Sequence, residues 1–361
     1  MTISIEHLVF RWEDFPPVTA DLPGIGGIIR SEVEDFLVDE IALYRPDGNG
    51  SHTYVRVEKR NQTTQALITA LVNEGVDEKS IGVAGLKDKY AITRQWLSVP
   101  NRFAHALSAL EALPGVELLE RSRHKNKLGL GHLVGNRFKI TVRRTDPEAE
   151  KRARAILDRL YQIGVPNYFG PQRFGRFGTN AVDGYKLLQG QWVPGGTRLK
   201  RFFVSALQAL IFNAILAERY RRNLYRRVIP GDWARKHDTG GTFKVEGVAE
   251  EIRAFDLRIS ATFPLFGRKV GISEGVAGEI ERQVLQQYQV QRQDFSVRKG
   301  TRRISRIPLD EVVLAAEQGV LRLDFSLPKG AYATSFLREV MKVEVDAPSP
   351  RTEMGSDDSP G

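Results

Sequence analysis

At 361 residues the chain has room for about two domains with sizeable cores, which excludes a small scaffold held together by disulfides. Lys and Arg number 53 against 44 Asp and Glu, a formal charge of +9, so a polyanionic partner is the leading expectation. The absence of cysteine rules out disulfides, thiolate zinc sites, iron–sulfur clusters and cysteine nucleophiles, and fits a reducing, cytoplasmic setting. Met1 to Phe10 has no basic region followed by an apolar one and does not read as a secretory signal. The apolar run Ala206 to Ala217 is interrupted by Gln208 and Asn213 and is shorter than a bilayer span, so no membrane partner is expected.

Residues 28 to 60 alternate in strand fashion, Phe36 with Val38 and Val55 with Val57, around the turn-rich Pro46-Asp47-Gly48-Asn49-Gly50, and predict a hairpin-like pair. Thr63 is placed to cap a helix carrying Ala66, Leu67, Ala70 and Leu71, and Gly75 to end it. Strands are predicted at Ile81 to Val83, Thr93 to Val99, Val116 to Leu119 and Phe138 to Val142. Helices are predicted at Phe103 to Leu113 and, with Pro147 at its first position, Pro147 to Ile163.

From Val165 the chain turns Gly- and aromatic-rich and then basic and helical over Phe202 to Arg227. Last come a predicted helix at Pro308 to Gln318, a strand at Leu321 to Leu327 and a helix after Tyr332. About 50 residues would struggle to make a core alone and are expected to complete the first domain. The reading is α+β, with a discontinuous catalytic domain of 1–164 and 298–345, an inserted domain of 165–297 and a disordered tail of 346–361 rich in Pro, Ser and Asp.

Gly85-Leu86-Lys87-Asp88-Lys89 sets a carboxylate between two ammonium groups in a tight turn, where opposite charges favour the ionised form of Asp88. Taken alone, such a triplet is more often a solvated turn. Three basic clusters could each neutralise phosphates: Arg121, Arg123, Lys125 and Lys127; Arg219 to Arg227; and Arg298, Lys299, Arg302, Arg303 and Arg306. On this reading, replacing Arg302 and Arg303 together should weaken RNA binding and flatten its salt dependence. Asn136-Arg137-Phe138, Asn167-Tyr168-Phe169 and Gln172-Arg173-Phe174 interleave amides and rings suited to an unstacked base. Gly271-Ile272-Ser273-Glu274-Gly275 matches a nucleophile elbow, but no His follows it. The six histidines lack metal-ligand spacing and no phosphate-cradling loop is present, so neither metal nor nucleotide cofactor is expected.

Ala84-Gly85-Leu86-Lys87-Asp88-Lys89-Tyr90-Ala91-Ile92-Thr93-Arg94-Gln95-Trp96 resembles the active-site motif of the TruD family of tRNA pseudouridine synthases. Four further segments stand in family order: Glu34 to Glu40, Arg123 to Leu128 with Gly135 to Phe138, Val165 to Gly175, and Leu327 to Thr334 with Leu337-Arg338-Glu339. The resemblance implies a mixed-sheet synthase core interrupted by an inserted α/β TRUD domain, with RNA held between them. It implies isomerisation of uridine at nucleotide 13 of tRNA, Asp88 as catalytic carboxylate, Phe138 stacking on the target base and Asn136 beside it. Arg30 stands where the family usually has lysine, beside the aspartate or a phosphate. Lys87 and Lys89 are expected to keep Asp88 ionised or to meet phosphate, and Arg123, Lys125, Lys127, Asn167, Gln172, Arg173, Arg302 and Arg303 to contact RNA. Nucleophilic attack on C1′ and abstraction of the C2′ proton both remain open, as does the acceptor of the C5 proton. The competing reading is a non-catalytic RNA-binding or RNA-folding protein on the same scaffold.

Overall fold

A computed structural model describes residues 4–345, so the tail 346–361 lies outside the described residues. In chain order the first elements are β1 (Gly26–Ile28), β2 (Phe36–Ala42), β3 (His52–Arg60), α1 (Thr64–Asn73), β4 (Gly82–Val83), β5 (Ile92–Pro100), α2 (Ser108–Glu111), β6 (Val116–His124) and β7 (Leu133–Thr145). There follow α3 (Ala149–Ile163), β8 (Val165–Pro166), α4 (Asn180–Leu188), α5 (Thr197–Arg221), β9 (Trp233–Lys236), β10 (Thr242–Lys244), α6 (Glu250–Phe255), β11 (Ile259–Leu265), α7 (Gly275–Gln287), β12 (Thr301–Ile304) and β13 (Arg306–Ile307). The chain closes with β14 (Val313–Glu317), β15 (Val320–Pro328) and α8 (Ala333–Met341).

Two compact units result. One comprises Ile25–Lys151 with Asp310–Gly330; the other comprises the residues up to Gly24, Arg152–Leu309 and the segment from Ala331. The N-terminal segment and α8, grouped above with the catalytic domain, thus pack with the middle of the chain.

The first unit is built on a mixed nine-stranded sheet of order β14-β15-β7-β2-β5-β3-β6, with β1 on β7 and β4 on β5. β2 and β5 run parallel, Leu37 opposite Ile92; the other pairings are antiparallel. The predicted hairpin of β2 with β3 does not form, because β5 lies between them and bonds to both. Thr63 caps α1 as expected, its hydroxyl accepting from the Ala66 N–H at 2.9 Å, and Gly75 follows at φ +83°. α1 buries Leu67 and Leu71, and α2 with the residue before it buries Leu110 and Leu107, against Val55, Val57, Leu97 and Val99 of β3 and β5.

The helix expected at Pro308 to Gln318 is instead strand β14. Glu317 pairs with Val320 across Gln318-Gly319, and Gly319 takes a left-handed φ of +70° in that turn, a conformation glycine adopts without strain.

In the second unit β10-β9-β11-β12 form an antiparallel sheet, β8 pairs with β13, and α5 packs on β11 and α7. The apolar run read as too short to span a bilayer belongs to the 25-residue α5, which is long and apolar enough to cross a membrane but is mostly buried inside the protein. Arg219 on α5 is buried with Asp232, their side chains bonded at 3.1 and 2.8 Å, and Asp232 also accepts from the Ile229 N–H. Asp232→Ala would strand a buried guanidinium and is expected to cost about 3–5 kcal/mol in urea unfolding, whereas an Arg219→Met, Asp232→Leu double variant should recover much of it.

Candidate active site

Asp88 sits in the turn between β4 and β5, its side chain about one-third exposed. The turn is fastened from below. The Lys87 N–H donates to the Thr64 hydroxyl (3.0 Å), which donates in turn to Gln95 Oε1 (2.9 Å). The Lys59 ammonium donates to the Asp88 carbonyl (2.7 Å) and the Gln62 carbonyl (2.5 Å). Lys59 is fully buried, and burial pushes its pKa down to about 8 against the raising influence of Asp88; the charge of Lys87 lowers it further.

Above the turn, Arg30 Nη2 lies 3.4 Å from Asp88 Oδ2, and its guanidinium stands 4.1 Å over the Phe36 ring. Arg30 holds φ +58°, a left-handed conformation that costs a non-glycine residue of order 1 kcal/mol, so the surroundings fix it there.

Sheet alternation places the remaining candidates on one face. Asn136 and Phe138 of β7 lie opposite Glu40 and Val38 of β2, and opposite Leu327 and Phe325 of β15. Lys87, expected to keep Asp88 ionised or to meet phosphate, faces the sheet. Its ammonium is buried between Glu40 Oε2 (2.8 Å) and Asn136 Oδ1 (2.7 Å), where it ties the turn to the sheet. Phe138 is stacked on Phe325, with Phe36 edge-on, and is only 6% exposed. Lys89 is exposed, its ammonium 5.4 Å over Tyr90.

Lys59 and Glu40 were not singled out in the sequence, yet alternation could have found both. Lys59 continues the buried series Val55-Val57, and Glu40 continues Phe36-Val38.

The structure sorts the RNA candidates. Arg123, Lys125, Lys127 and Gln172 are exposed, and Arg173 is half-buried. Asn167 is buried, bonding the Ile304 carbonyl through Nδ2 and receiving Arg303 on Oδ1. Arg302 and Arg303 also turn inward, which removes them from a phosphate footprint. Arg302 is tied to buried Glu281 (3.0 Å) and to the Ser273 hydroxyl (2.8 Å), while Arg303 stands 4.0 Å over Phe169. Arg302→Gln is therefore expected to destabilise the fold by about 3 kcal/mol in chemical denaturation, while leaving the salt slope of RNA binding unchanged.

The family model described as tRNA pseudouridine synthase D (TruD) matches residues 15–194 and 196–340. The chain belongs to the TruD family. A TruD relative from Thermus thermophilus, named tRNA pseudouridine synthase D, is 52% identical over 338 residues, covering 93% of this chain and 95% of the relative. One of the same name from Anaeromyxobacter dehalogenans is 43% identical over 347 residues, covering 93% and 98%. The crystal structure of a candidate TruD from Methanosarcina mazei superimposes with a TM-score of 0.72 at 27% identity, covering 95% of this chain and 99% of that one. The TruD fold is accordingly α+β with a large mixed sheet.

Proposed function

We propose that this protein isomerises uridine to pseudouridine in tRNA, at nucleotide 13, with Asp88 as the catalytic carboxylate. The observation that carries the reading is a solvent-accessible carboxylate on a turn bonded through both its backbone and its neighbours, beside a guanidinium and the Asn136–Phe138 face. The TruD relatives' shared name supports the substrate class.

The reaction breaks N1–C1′, turns the base and forms C5–C1′; the C5 proton leaves and N1 takes up a proton, so the product is an isomer and there is no net redox change. A carboxylate starts it, either by adding to C1′ or by taking the C2′ proton. Arg30 aims the Asp88 carboxylate and balances its charge. The target uridine has to leave its stack, and the narrow exposed strip of Phe138, backed by Phe325, forms the floor on which the freed uracil rests. Phe138 has no hydroxyl, so the C5 proton passes to another group. Exposed Arg123, Lys125 and Lys127 follow the RNA backbone.

Unmodified tRNA tritiated at uridine C5 tests the proposal. Wild-type protein with no added cofactor should release tritium, and carbodiimide mapping should show one stop, at nucleotide 13. Tight binding of the same RNA without release would overturn the enzymatic reading and favour a binding or folding protein.

A further inference from the structure

In the second unit, Arg173, Arg201 and Arg298 gather at one turn of α5 with no acidic partner among the described residues. Arg201 and Ser205 stand one turn apart on α5, and the Ser205 hydroxyl donates to the Arg201 carbonyl (3.0 Å) while accepting from Arg298 Nη2 (3.0 Å). Arg173 stands 5.4 Å over both Phe202, next to Arg201 in sequence, and Phe169; it donates to the Tyr332 hydroxyl at 3.4 Å. Its Nε is buried with no hydrogen-bond partner. Arg298 and Arg173 thus both reach the turn of α5 that carries Arg201, through Ser205 and Phe202; burial, then the charges of Arg201 and Arg173, push the pKa of Arg298 down.

No described carboxylate lies within ion-pair distance of Arg173, Arg201 or Arg298. This contrasts with the basic run of 219–227, where Asp232, Glu218 and Glu251 neutralise Arg219, Arg222 and Arg227. Like charges held together and partly desolvated destabilise the free protein, and a bound anion relieves that repulsion. Planar guanidiniums, that of Arg173 held by rings and that of Arg298 by a hydroxyl, suit the tetrahedral oxygens of phosphate.

We infer that Arg173, Arg201 and Arg298 form a phosphate clamp for the backbone of the bound tRNA, on the unit that does not carry the catalytic turn. The inference rests on the tRNA reading above. The clamp contributes affinity and register, not chemistry, so it acts on KM and leaves kcat alone.

Arg201 is exposed and Arg298 is held by one hydroxyl, so an Arg201→Gln, Arg298→Gln protein should fold normally, as a thermal melt would verify. Expected are an unchanged kcat, a tRNA Kd raised about 10-fold near physiological salt, and a slope of log K against log salt smaller by about 1. A protein with lysine at both positions should keep the wild-type slope while losing part of the affinity, because charge is retained and the fork is not. Wild-type affinity and slope in the glutamine variant would overturn the clamp, as would weaker binding with an unaltered slope. A rise in melting temperature with inorganic phosphate at constant ionic strength, lost in a variant that still binds tRNA normally, would reassign the site to a free anion and overturn it too. Binding slopes are read without turnover, so failure of the synthase reading, an inactive wild type, is distinguishable from failure of the clamp.

Discussion

An Asp88→Asn protein is expected to release tritium from tRNA at least about 10³-fold more slowly than wild type, while binding the same tRNA within a few-fold. Asparagine matches the carboxylate in shape but neither attacks C1′ nor accepts the C2′ proton. The backbone that positions residue 88 is held by Lys59 and, through Lys87, by Thr64, and none of those bonds uses the Asp88 side chain. The fold and the RNA surface should therefore survive. The asparagine oxygen can still accept from Arg30, and the ion pair it replaces is partly exposed, so the substitution should cost little stability. Full turnover by the Asn protein would remove Asp88 from the chemistry.

Lys59→Met should lower kcat by about 10²-fold with little change in KM, because a displacement of the order of 1 Å at a reacting group costs that much and Lys59 bonds the backbone beneath it. Methionine fills the space but donates nothing, which leaves the Asp88 and Gln62 carbonyls without that donor. The same substitution has a pH signature. Lys59 titrates near 8 in the folded protein against an ordinary 10.5. Between these values the unfolded chain holds a proton that the folded chain has released, so stability rises with pH through the window and that contribution is lost as pH falls to about 8. Denaturation curves at several pH values should show wild type gaining on Lys59→Met by on the order of 3 kcal/mol across the window. A difference that is flat with pH would mean that Lys59 keeps an ordinary pKa, and an unaltered kcat would mean that the turn needs no fastening there.

The turn bearing Asp88, the strands on either side of it and the capped helix α1 were all legible, because each rests on local signals: alternation, a Thr cap, a Gly end. The pairing of the strands was not. Nothing near residues 36–60 in the sequence says that β5, more than 30 residues on, will separate β2 from β3. β14 was misread because its apolar residues also fit a helical spacing, and the decisive signal, Gln318-Gly319 ahead of a second strand, is a turn rather than a pattern. The basic clusters misled for a related reason. Composition counts charges without their neighbours, and Arg219, Arg302, Arg303 and Arg306 spend theirs on buried partners that lie elsewhere in the chain.

The central strand β7 pairs along most of its length with β15, and that pairing has a consequence for synthesis on the ribosome. β7 emerges about 175 residues before its partner begins, an interval of ~10–35 s at ordinary rates of elongation. Throughout that interval one side of β7, with Ile140 and Val142, has its ladder bonds unmade. The central stretch of the second unit, Arg152–Leu309, is translated within the wait. A nascent chain of this protein thus stays open to intermolecular strand pairing along β7 until residues 320–328 are made.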